Sequence, residues 1–328
     1  MNEETVDFYE EENYIDEQQV DEQSPKRAKK ARRKQKKKAR RRRMLLVLVI
    51  LVLVFGADTF RRIIATFNAM RENVETIDMR GGRGIVLGET PISVLILGLD
   101  DGRSDSLMVA TINPNTNTTY LLSIARDTYV PIIGHGTSTR INHAFAYGGA
   151  AMARDTVQKF LNIPIDFHVS MQMDGFAEFV DAVGIINVYN NTVDFSMGGH
   201  HFPLGQISLT GEQALYYSRM RMDDPRGDFG RQERQRDIIG ALASELTSIS
   251  GVTRYQRILD ASGNNLRTDV SMGQMLAISF GYNAAVGNIT NLQLIGAGQT
   301  IHGMALIVVA DDELQAMSNR LRSHLELD

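Results

Sequence analysis

A single long apolar run constrains this chain more than any other feature of its sequence. The run covers residues 44–60, and seventeen residues separate Arg43 from Arg61 with no Lys or Arg among them. At about 1.5 Å per residue, a helix over this run is ~25 Å long, slightly short of a ~30 Å hydrocarbon core. The long side chains of Arg43 and Arg61 can reach the two interfaces and make up the difference. The run therefore predicts one transmembrane helix over residues 44–60.

Two other interpretations of this run fit the sequence less well. A buried helix of a globular protein rarely lacks polar residues for four turns. A cleaved signal peptide has a much shorter basic region, and a small-x-small cleavage site follows its apolar run, which is not the case here.

Charge is strongly segregated on the N-terminal side of the run. Residues 1–22 carry ten acidic residues and no basic one, whereas residues 26–43 carry fourteen basic residues and no acidic one. Blocks of like charge with little apolar surface remain disordered, so we expect residues 1–43 to form a cytoplasmic tail, acidic and then polybasic. The massed Lys and Arg predict a cytoplasmic N-terminus, with the polybasic block on the anionic inner leaflet and all residues after the span outside the cell.

The rest of the chain is typical of a mildly acidic extracytoplasmic domain. Residues 44–328 hold 21 basic and 29 acidic residues, which argues against a general nucleic-acid surface, and no nucleic-acid partner is expected. Cysteine is absent, so disulfide frameworks and thiolate metal sites are excluded. Residues 61–90 are predicted to be a juxtamembrane linker with a short amphipathic helix before a glycine-rich turn. The helix is indicated by apolar residues at helical spacing: Ile63, Ile64, Phe67 and Met70.

From residue 91 to residue 328, apolar runs of strand length alternate with helical patterns, which predicts one α/β domain. The predicted strands cover residues 92–97, 107–112, 118–124, 167–171, 187–189, 292–294 and 305–309. The predicted helices cover residues 149–161, 174–183, 231–249, 271–280 and 311–327. A further helix starts at Thr210, which with Gln213 suits a capping box. Residues 259–266 are predicted to be a loop.

The arginine-rich segment, residues 219–235 (RMRMDDPRGDFGRQERQ), is the densest group of charges in the predicted domain. Arg219 and Arg221 stand two apart, so at an extended strand end they point the same way. Arg231 and Arg234 stand three apart, so on a helix they share a face. Guanidinium groups are planar, permanently charged and fork onto two oxygens, which suits phosphate. The alternative is a solvated loop whose own aspartates neutralise its arginines.

Two further charged stretches lie at the ends of predicted strands, where functional groups are commonly found. Residues 98–105 (GLDDGRSD) follow the first strand, and residues 123–127 (SIARD) end the third. Asp100 and Asp105 bracket Arg103, and two carboxylates without a nearby histidine suit Mg²⁺, which takes one or two carboxylates with water and phosphate oxygens. We expect five arginines to cradle a phosphate or pyrophosphate: Arg103, Arg126, Arg219, Arg221 and Arg231.

These stretches, in this order, resemble the LytR-CpsA-Psr family over about residues 91–250. The matching blocks are LGLDDGRSDSL (97–107), LSIARDTYVPI (122–132), RINHAFAYGG (140–149), MDGFAEFVDAVGII (173–186), LTGEQALYYSRMR (209–221) and GDFGRQERQ (227–235). The acidic tail, the basic block and the single span also match the layout of the family. The resemblance implies a single α/β/α domain with a central mixed sheet and a hydrophobic pocket for a polyprenyl chain, preceded by a transmembrane helix.

The resemblance also implies an activity. Members of the family attach glycopolymers, such as teichoic acid or capsular polysaccharide, to the peptidoglycan of Gram-positive-type cell walls. They transfer the glycan with one phosphate from an undecaprenyl-pyrophosphate carrier to a muramic-acid hydroxyl, which would make this chain a Mg²⁺-dependent phosphotransferase anchored in the cell membrane. Such a reaction needs positioning and charge neutralisation more than covalent chemistry by the protein.

The resemblance assigns roles to individual residues by position. Asp100 and Asp105 are the expected magnesium ligands, and the five arginines are the expected pyrophosphate ligands. Arg126 and Asp228 are the expected catalytic residues, with Asp228 able to orient an arginine. The turn after the first strand is shorter than is usual in the family, so Asp101 is an alternative to Asp100. The general base is open between Asp105 and Asp228.

Other candidate residues are interpreted as structural, and two other functions stay open. His143 is expected at the rim of the site, and His200 with His201 as an exposed loop pair. Four apolar residues of the helix at 174–183 belong to the core or line the lipid pocket: Phe176, Phe179, Val180 and Val183. The alternative functions are a non-enzymatic cell-envelope regulator (a transcriptional attenuator) and a hydrolase that cleaves the same lipid pyrophosphate with water.

Overall fold

The computed structural model describes residues 61–75, 77–248, 252–263 and 265–327, together with Lys37. The strands are β1 (Ile92–Asp100), β2 (Arg103–Asn113), β3 (Thr118–Ile124), β4 (Tyr129–Pro131), β5 (Ser138–Arg140), β6 (Phe167–Gln172), β7 (Ile186–Asn190), β8 (Phe195–Met197), β9 (His200–Phe202), β10 (Gly205–Leu209), β11 (Leu266–Thr268), β12 (Ile289–Gln293), β13 (Ala297–Ile301) and β14 (Met304–Val308). The helices are α1 (residues 61–70), α2 (His143–Leu161), α3 (Phe176–Val183), α4 (Gly211–Arg219), α5 (Asp228–Ser248), α6 (Val252–Ser262), α7 (Met272–Gly281), α8 (Asn283–Val286) and α9 (Asp311–His324), with a 3₁₀ turn at Met173–Gly175.

The predicted tail (1–43) and the predicted transmembrane helix (44–60) lie outside the described residues, apart from Lys37. Among the residues that are described, no helix combines the length and the apolarity needed to cross a bilayer. The described residues from Arg61 onward belong to one compact unit.

The three apolar runs that follow residue 91 form the centre of a six-stranded sheet with the order β11-β6-β1-β2-β3-β12. β1, β2 and β3 are antiparallel neighbours, whereas β6 lies parallel to β1 and β12 lies parallel to β3. Along β1, Leu95 and Leu97 pack on one face, and Ile92 and Ile96 pack on the other. Side chains of a strand alternate between the faces of a sheet, so burial of both faces explains why these runs are almost wholly apolar.

Helices cover both faces of this sheet. α2 and α9 pack on one face, where Val157 and Leu321 are fully buried against the central strands. α5, α7 and α8 pack on the other face, where Ile239 and Ala285 join the same cluster as Ile92. The predicted α/β architecture with a central mixed sheet is therefore confirmed.

A second apolar cluster supports the arginine-rich segment. It joins α3, α4, α5 and α6 to β7, β8 and β9, and its fully buried members include Val180, Val183 and Tyr217. The predicted core position of Val180 and Val183 is confirmed, and Phe176 is also buried. Phe179 is only partly buried at the edge of this cluster.

Most predicted elements are present with shifted ends. The helix predicted at 149–161 is α2, which begins at His143 but is interrupted at Gly148 and Gly149, where Gly149 has φ of +62°. The predicted capping box is confirmed, since the N–H of Thr210 donates to Oε1 of Gln213 at 3.0 Å.

The loop predicted at 259–266 is wrong, because α6 and β11 occupy most of it. Two adjacent residues of α6 are buried in different clusters. Ile258 packs with the cluster around Tyr217, while Leu259 packs with Phe67 and Met70 of α1.

The predicted linker at 61–90 packs onto the domain along much of its length. Phe67 and Met70 of α1 are buried. Arg80 makes a two-pronged ion pair with Asp166, at 2.5 Å from Nε to Oδ1 and 2.7 Å from Nη2 to Oδ2. Residues of this stretch are therefore part of the folded unit.

Candidate active site

The β1–β2 hairpin brings Asp100 to one end of the central sheet. Asp101 and Gly102 form its two-residue turn, with φ of +47° and +74°. Positive φ at both positions is typical of a type I′ turn, for which Asp-Gly is a favoured pair. The Asp100 carboxylate lies 3.9 Å from Nη2 of Arg219, whereas the Asp101 side chain is 93% exposed and lies 3.7 Å from Arg103. Of the two candidate ligands, Asp100 is the one near the arginine-rich segment.

A β-bulge in β2 sets the position of Asp105. The register between β1 and β2 shifts between Gly98 and Leu99, which leaves Asp105 unpaired with β1. A bulge re-aims the side chain of its extra residue. The Asp105 carboxylate accepts a hydrogen bond from Nη1 of Arg126 at 2.8 Å and is approached by Nδ2 of Asn142 at 3.4 Å. Two residues predicted from separate strand ends therefore form a direct ion pair.

Arg231 is held beside this pair by the first turn of α5. Its Nη2 lies 2.5 Å from Oδ1 of Asp228, and the second oxygen of Asp228 accepts from Gln232 at 2.9 Å. Burial lowers the pKa of Arg231 and the charge of Arg126 acts in the same direction, whereas Asp228 and Asp105 raise it. The charges of Asp105 and Arg126 therefore contribute to the electrostatic environment of Arg231.

Arg219 and Arg221 approach the same region from the end of a helix. Arg219 is the last residue of α4, after which the chain becomes extended. The prediction of a strand end for this pair is wrong, because Ala214 and Tyr217 are buried at helical spacing and continue α4 to Arg219. Both arginines are exposed, and with Arg231 they line one surface pocket.

Arg103 is the first residue of β2, and its Nη2 lies 3.7 Å from the exposed Asp101 of the hairpin turn. Burial lowers the pKa of His143, and the positive charges of Arg140 and Arg103 lower it further. Nε of Arg140 lies 3.2 Å from Asp127, which in turn lies 3.7 Å from Nε of Arg126. A line of charged side chains therefore leads from Arg126 through Asp127 to Arg140.

Two other arginines of the segment have structural partners. Arg234 is fully buried and donates to Asp224 at 2.7 Å and to the carbonyl of Met220 at 2.6 Å. Arg226 lies 3.4 Å from Asp224 and 2.5 Å from Glu233. Arg234 and Arg226 are thus neutralised by acidic residues of the same segment, as the alternative interpretation predicts. The phosphate-binding hypothesis is therefore kept for the other arginines of the segment, Arg219, Arg221 and Arg231.

The carboxylates of Asp100 and Asp105 are hard oxygen donors, the type that Mg²⁺ prefers. The part of the chain that the structure describes contains no group of three or more His, Cys, Asp or Glu residues able to hold a metal ion. Mg²⁺ commonly takes one or two carboxylates and completes its shell with water and substrate phosphate. These residues therefore fit a metal site that a phosphate completes, and do not form a metal cage on their own.

An apolar pocket lies next to these charges. Ser106 and Ser218 line it, and they are the direct sequence neighbours of Asp105 and Arg219. The rest of its lining is mainly apolar and includes Ile96, Met108, Met171, Phe176, Ile238 and Ile239. Phe176 is thus both a core residue and a pocket residue. An amphiphilic ligand with an apolar chain and an anionic head would match both environments.

Known proteins share both the sequence and the fold. The model of the LytR_cpsA_psr family matches residues 65–323, a wider span than the blocks at 91–250. The enzyme of Enterococcus faecalis named polyisoprenyl-teichoic acid–peptidoglycan teichoic acid transferase TagU is 44% identical over 266 residues, which is 78% of this chain and 88% of that protein.

Solved structures agree with these sequence matches. The crystal structure of B. subtilis TagU is 38% identical, has a TM-score of 0.63 and covers 73% of this chain and 99% of that chain. A structure of TagT bound to LIIa-WTA is 27% identical, has a TM-score of 0.66 and covers 77% of this chain and 97% of that chain. On the evidence of the family model and of these relatives, the chain belongs to the LytR-CpsA-Psr family.

Proposed function

We propose that this chain transfers a glycopolymer of the teichoic-acid or capsular-polysaccharide type, with one phosphate, from an undecaprenyl-pyrophosphate carrier to a muramic-acid hydroxyl of peptidoglycan. The observation that carries the proposal is that an apolar pocket lies beside a group of arginines and aspartates. Ser106 and Ser218 line the pocket, and their neighbours in the sequence, Asp105 and Arg219, belong to the charged group. A lipid pyrophosphate has the two matching parts. The name of the E. faecalis relative supports the choice of glycan and acceptor.

In the proposed reaction, the acceptor oxygen attacks the phosphorus atom that carries the glycan. A new P–O bond joins the glycan phosphate to peptidoglycan, the bond from that phosphorus to the bridging oxygen breaks, and undecaprenyl phosphate leaves with the bonding electrons. The acceptor hydroxyl loses its proton to a base. Negative charge then lies on the phosphoryl oxygens and on the leaving group, where Arg126, Arg219, Arg221 and Arg231 would supply fixed positive charge.

Carboxylates hold two of these arginines in place before any ligand binds. Asp105 fixes Arg126 and Asp228 fixes Arg231, both through direct ion pairs. Preorganised charges need little rearrangement as the reaction proceeds, which lowers the barrier more than flexible charges do. Both oxygens of Asp228 are engaged, by Arg231 and Gln232, so we assign it to positioning Arg231. The two oxygens of Asp105 are engaged in the same way, by Arg126 and Asn142, so the base stays open between these two aspartates.

A magnesium ion forms part of the proposal. Asp100 and Asp105 would hold it together with phosphate oxygens of the carrier, and Arg103 would contact the same phosphates from the turn of the β1–β2 hairpin. When bound, Mg²⁺ would neutralise negative charge on the pyrophosphate and thereby make the carrier phosphate a better leaving group.

A membrane location also forms part of the proposal. It comprises a cytoplasmic tail at 1–43, a single span at 44–60 and a catalytic domain outside the cell. The apolar run, which contains no Lys or Arg, and the fourteen basic residues that precede it support this topology. It would place the domain where a lipid carrier in the outer leaflet meets the peptidoglycan of a Gram-positive-type wall.

The test is reconstituted transfer. The full-length chain would receive a pyrophosphate-linked lipid–glycan donor and a peptidoglycan oligosaccharide acceptor, with and without Mg²⁺, and mass spectrometry would follow the products. A phosphodiester-linked product that requires Mg²⁺ and is lost in Arg126→Ala is the expected result. Release of glycan phosphate without a linked product would favour the hydrolase, and tight donor binding without turnover would favour the regulator.

A further inference from the structure

α7 has an outer face unlike that of an ordinary surface helix. None of its ten residues (MGQMLAISFG) is charged, and none is buried. Leu276 is 54% exposed, Phe280 is 84% exposed and Met275 is 37% exposed. A helix that faces water normally carries charged and polar side chains on its outer side. We call Met275, Leu276 and Phe280 the α7 outer face.

The α7 outer face belongs to a helix that is fixed at both ends. At the start, the N–H of Ser271 donates to Oε1 of Gln274 at 2.8 Å, and the N–H of Gln274 donates to Oγ of Ser271 at 3.3 Å. At the end, the hydroxyl of the buried Tyr282 donates to the carbonyl of Thr90 at 2.6 Å. These bonds hold the helix in place at both ends. The exposure of its apolar side chains therefore does not result from fraying of the helix.

The inner side of α7 leads to the apolar pocket. Ile278 packs against a cluster that contains Met108, Ile96 and Ile239. These last three residues also line the apolar pocket beside the arginines. α7 therefore lies at the surface of the same apolar layer whose interior would hold a lipid chain.

The N-terminal helix reaches the domain beside α7. Residues 44–60, which the sequence predicts as the span, are directly followed by Arg61, the first residue of α1. Phe67 and Met70 of α1 are buried in a cluster that Met272, the first residue of α7, joins. The exposed Arg71 follows α1 and forms a bridge with Thr268, four residues before α7. α1, the ten residues that follow the predicted span in the sequence, therefore packs beside the start of α7.

We propose that the α7 outer face docks on the outer surface of the lipid bilayer that holds the predicted span. Apolar side chains of an interfacial helix typically enter the headgroup region by ~5–10 Å, and flanking cations such as Arg61 and Arg71 contact lipid phosphates. Docking there would bring the apolar layer beneath α7 to the membrane that contains the carrier. In this respect the inference rests on the proposed function.

Tryptophan fluorescence can test this docking without background, because the sequence contains no Trp. Phe280→Trp introduces a single tryptophan at a site that is already 84% exposed, so folding is not at risk. The matched control is Tyr189→Trp, at a position 65% exposed on β7, a strand that packs on α5. Each full-length variant would be reconstituted into vesicles of phosphatidylglycerol and phosphatidylcholine, with and without brominated acyl chains.

Three outcomes decide the matter. Quenching of Phe280→Trp by brominated lipid, with a blue-shifted emission and an unquenched Tyr189→Trp, is the expected result. Equal quenching of both variants would mean non-specific adhesion and would overturn the proposal. An unquenched Phe280→Trp would also overturn it, and protection of that tryptophan from acrylamide would then indicate a protein partner on this face.

A second experiment separates this inference from the proposed function. In Leu276→Glu, transfer from a long-chain donor embedded in vesicles is expected to fall about tenfold, the effect of losing roughly 1.4 kcal/mol. Transfer from a short-chain, water-soluble donor should stay unchanged. An equal loss with both donors, or no loss with either, counts against docking. Absence of transfer in the unmodified chain would count against the proposed function only, since the quenching experiment needs no turnover.

Discussion

Two arginine–aspartate pairs of similar length show how differently the same residue types are used in this molecule. The Arg234–Asp224 pair has a separation of 2.7 Å and both side chains are 0% exposed. The Arg126–Asp105 pair has a separation of 2.8 Å, and its side chains are 27% and 28% exposed. The first pair is closed to any ligand, whereas the second retains exposed hydrogen-bonding capacity at the end of the sheet. Burial, and not residue type, separates the structural pair from the candidate site.

The largest expected effect comes from breaking the buried pair. Arg234→Met removes the buried 2.7 Å partner of Asp224 and leaves it the longer, 3.4 Å contact with the more exposed Arg226. We therefore expect the free energy of unfolding to fall by about 3–5 kcal/mol. Urea denaturation followed by circular dichroism would measure the change. The control is the double variant Arg234→Met/Asp224→Leu, which removes both charges and should recover most of the loss. If the double variant is no more stable than the single one, the buried charge is not the cause.

The next largest effect tests the exposed pair. Arg126→Ala removes a positive charge from the proposed site, and we expect kcat for transfer to fall by about 10²–10³-fold, as on loss of one preorganised charge donor. The free energy of unfolding should change by no more than about 1 kcal/mol, because the pair is partly solvated. Arg226→Ala is the matched control from the same charged group, with an expected change of activity below about twofold and of stability below about 1 kcal/mol. Similar activity losses in both variants would erase the distinction between the two classes of arginine.

A buried acid on α5 sharpens the comparison through pH. Burial, together with the charge of Glu233, raises the pKa of Asp237 to about 6 despite the opposing charge of Arg236. Because this pKa lies above the unfolded value, the stabilisation is complete at low pH and is lost as the pH rises through 6. Asp237→Asn should therefore raise the free energy of unfolding at pH 7 by up to about 3 kcal/mol and flatten its decline between about pH 4 and 7. A decline as steep as that of the unmodified chain would assign the pH dependence to other groups.

The smallest effect concerns the two aspartates at the hairpin turn. Asp100→Asn should raise the Mg²⁺ concentration for half-maximal transfer by about tenfold, or ~1.4 kcal/mol, because one of two carboxylate ligands is lost. Asp101→Asn, at a side chain 93% exposed, should leave it unchanged. A magnesium titration of the transfer rate would measure both variants. The opposite order of effects would make Asp101 the ligand.

Much of the fold was predictable because both faces of the central sheet are buried. The strands around Leu95, Val109 and Leu122 are continuous apolar runs for this reason, and each was predicted within a few residues of its ends. The short strands β4, β5, β8, β9, β11 and β13 were missed. Three to five residues are too few to establish an alternating pattern, and these strands carry many polar side chains.

The candidate site was predictable in its charges but not in its partners. The sequence indicates that Asp105 and Arg126 follow strands, and antiparallel pairing of β2 with β3 brings them opposite each other. Arg140 received no role because its contact with Asp127 depends on the β4–β5 hairpin, in which Arg140 pairs with Tyr129. That hairpin has only three residues in each strand, which is too few to show a strand pattern.

The break in α2 at Gly148 and Gly149 separates two parts of one helix that differ in what their side chains contact. After the break, Val157 and Leu161 are fully buried in the core, so substitution there is costly to stability. Before it, His143 and Tyr147 lie at the rim of the charged site, with ring centroids 5.7 Å apart and Tyr147 exposed. The glycine joint therefore separates the two parts mechanically, so that a change of an exposed side chain in the first turn need not disturb the buried helix that supports the sheet.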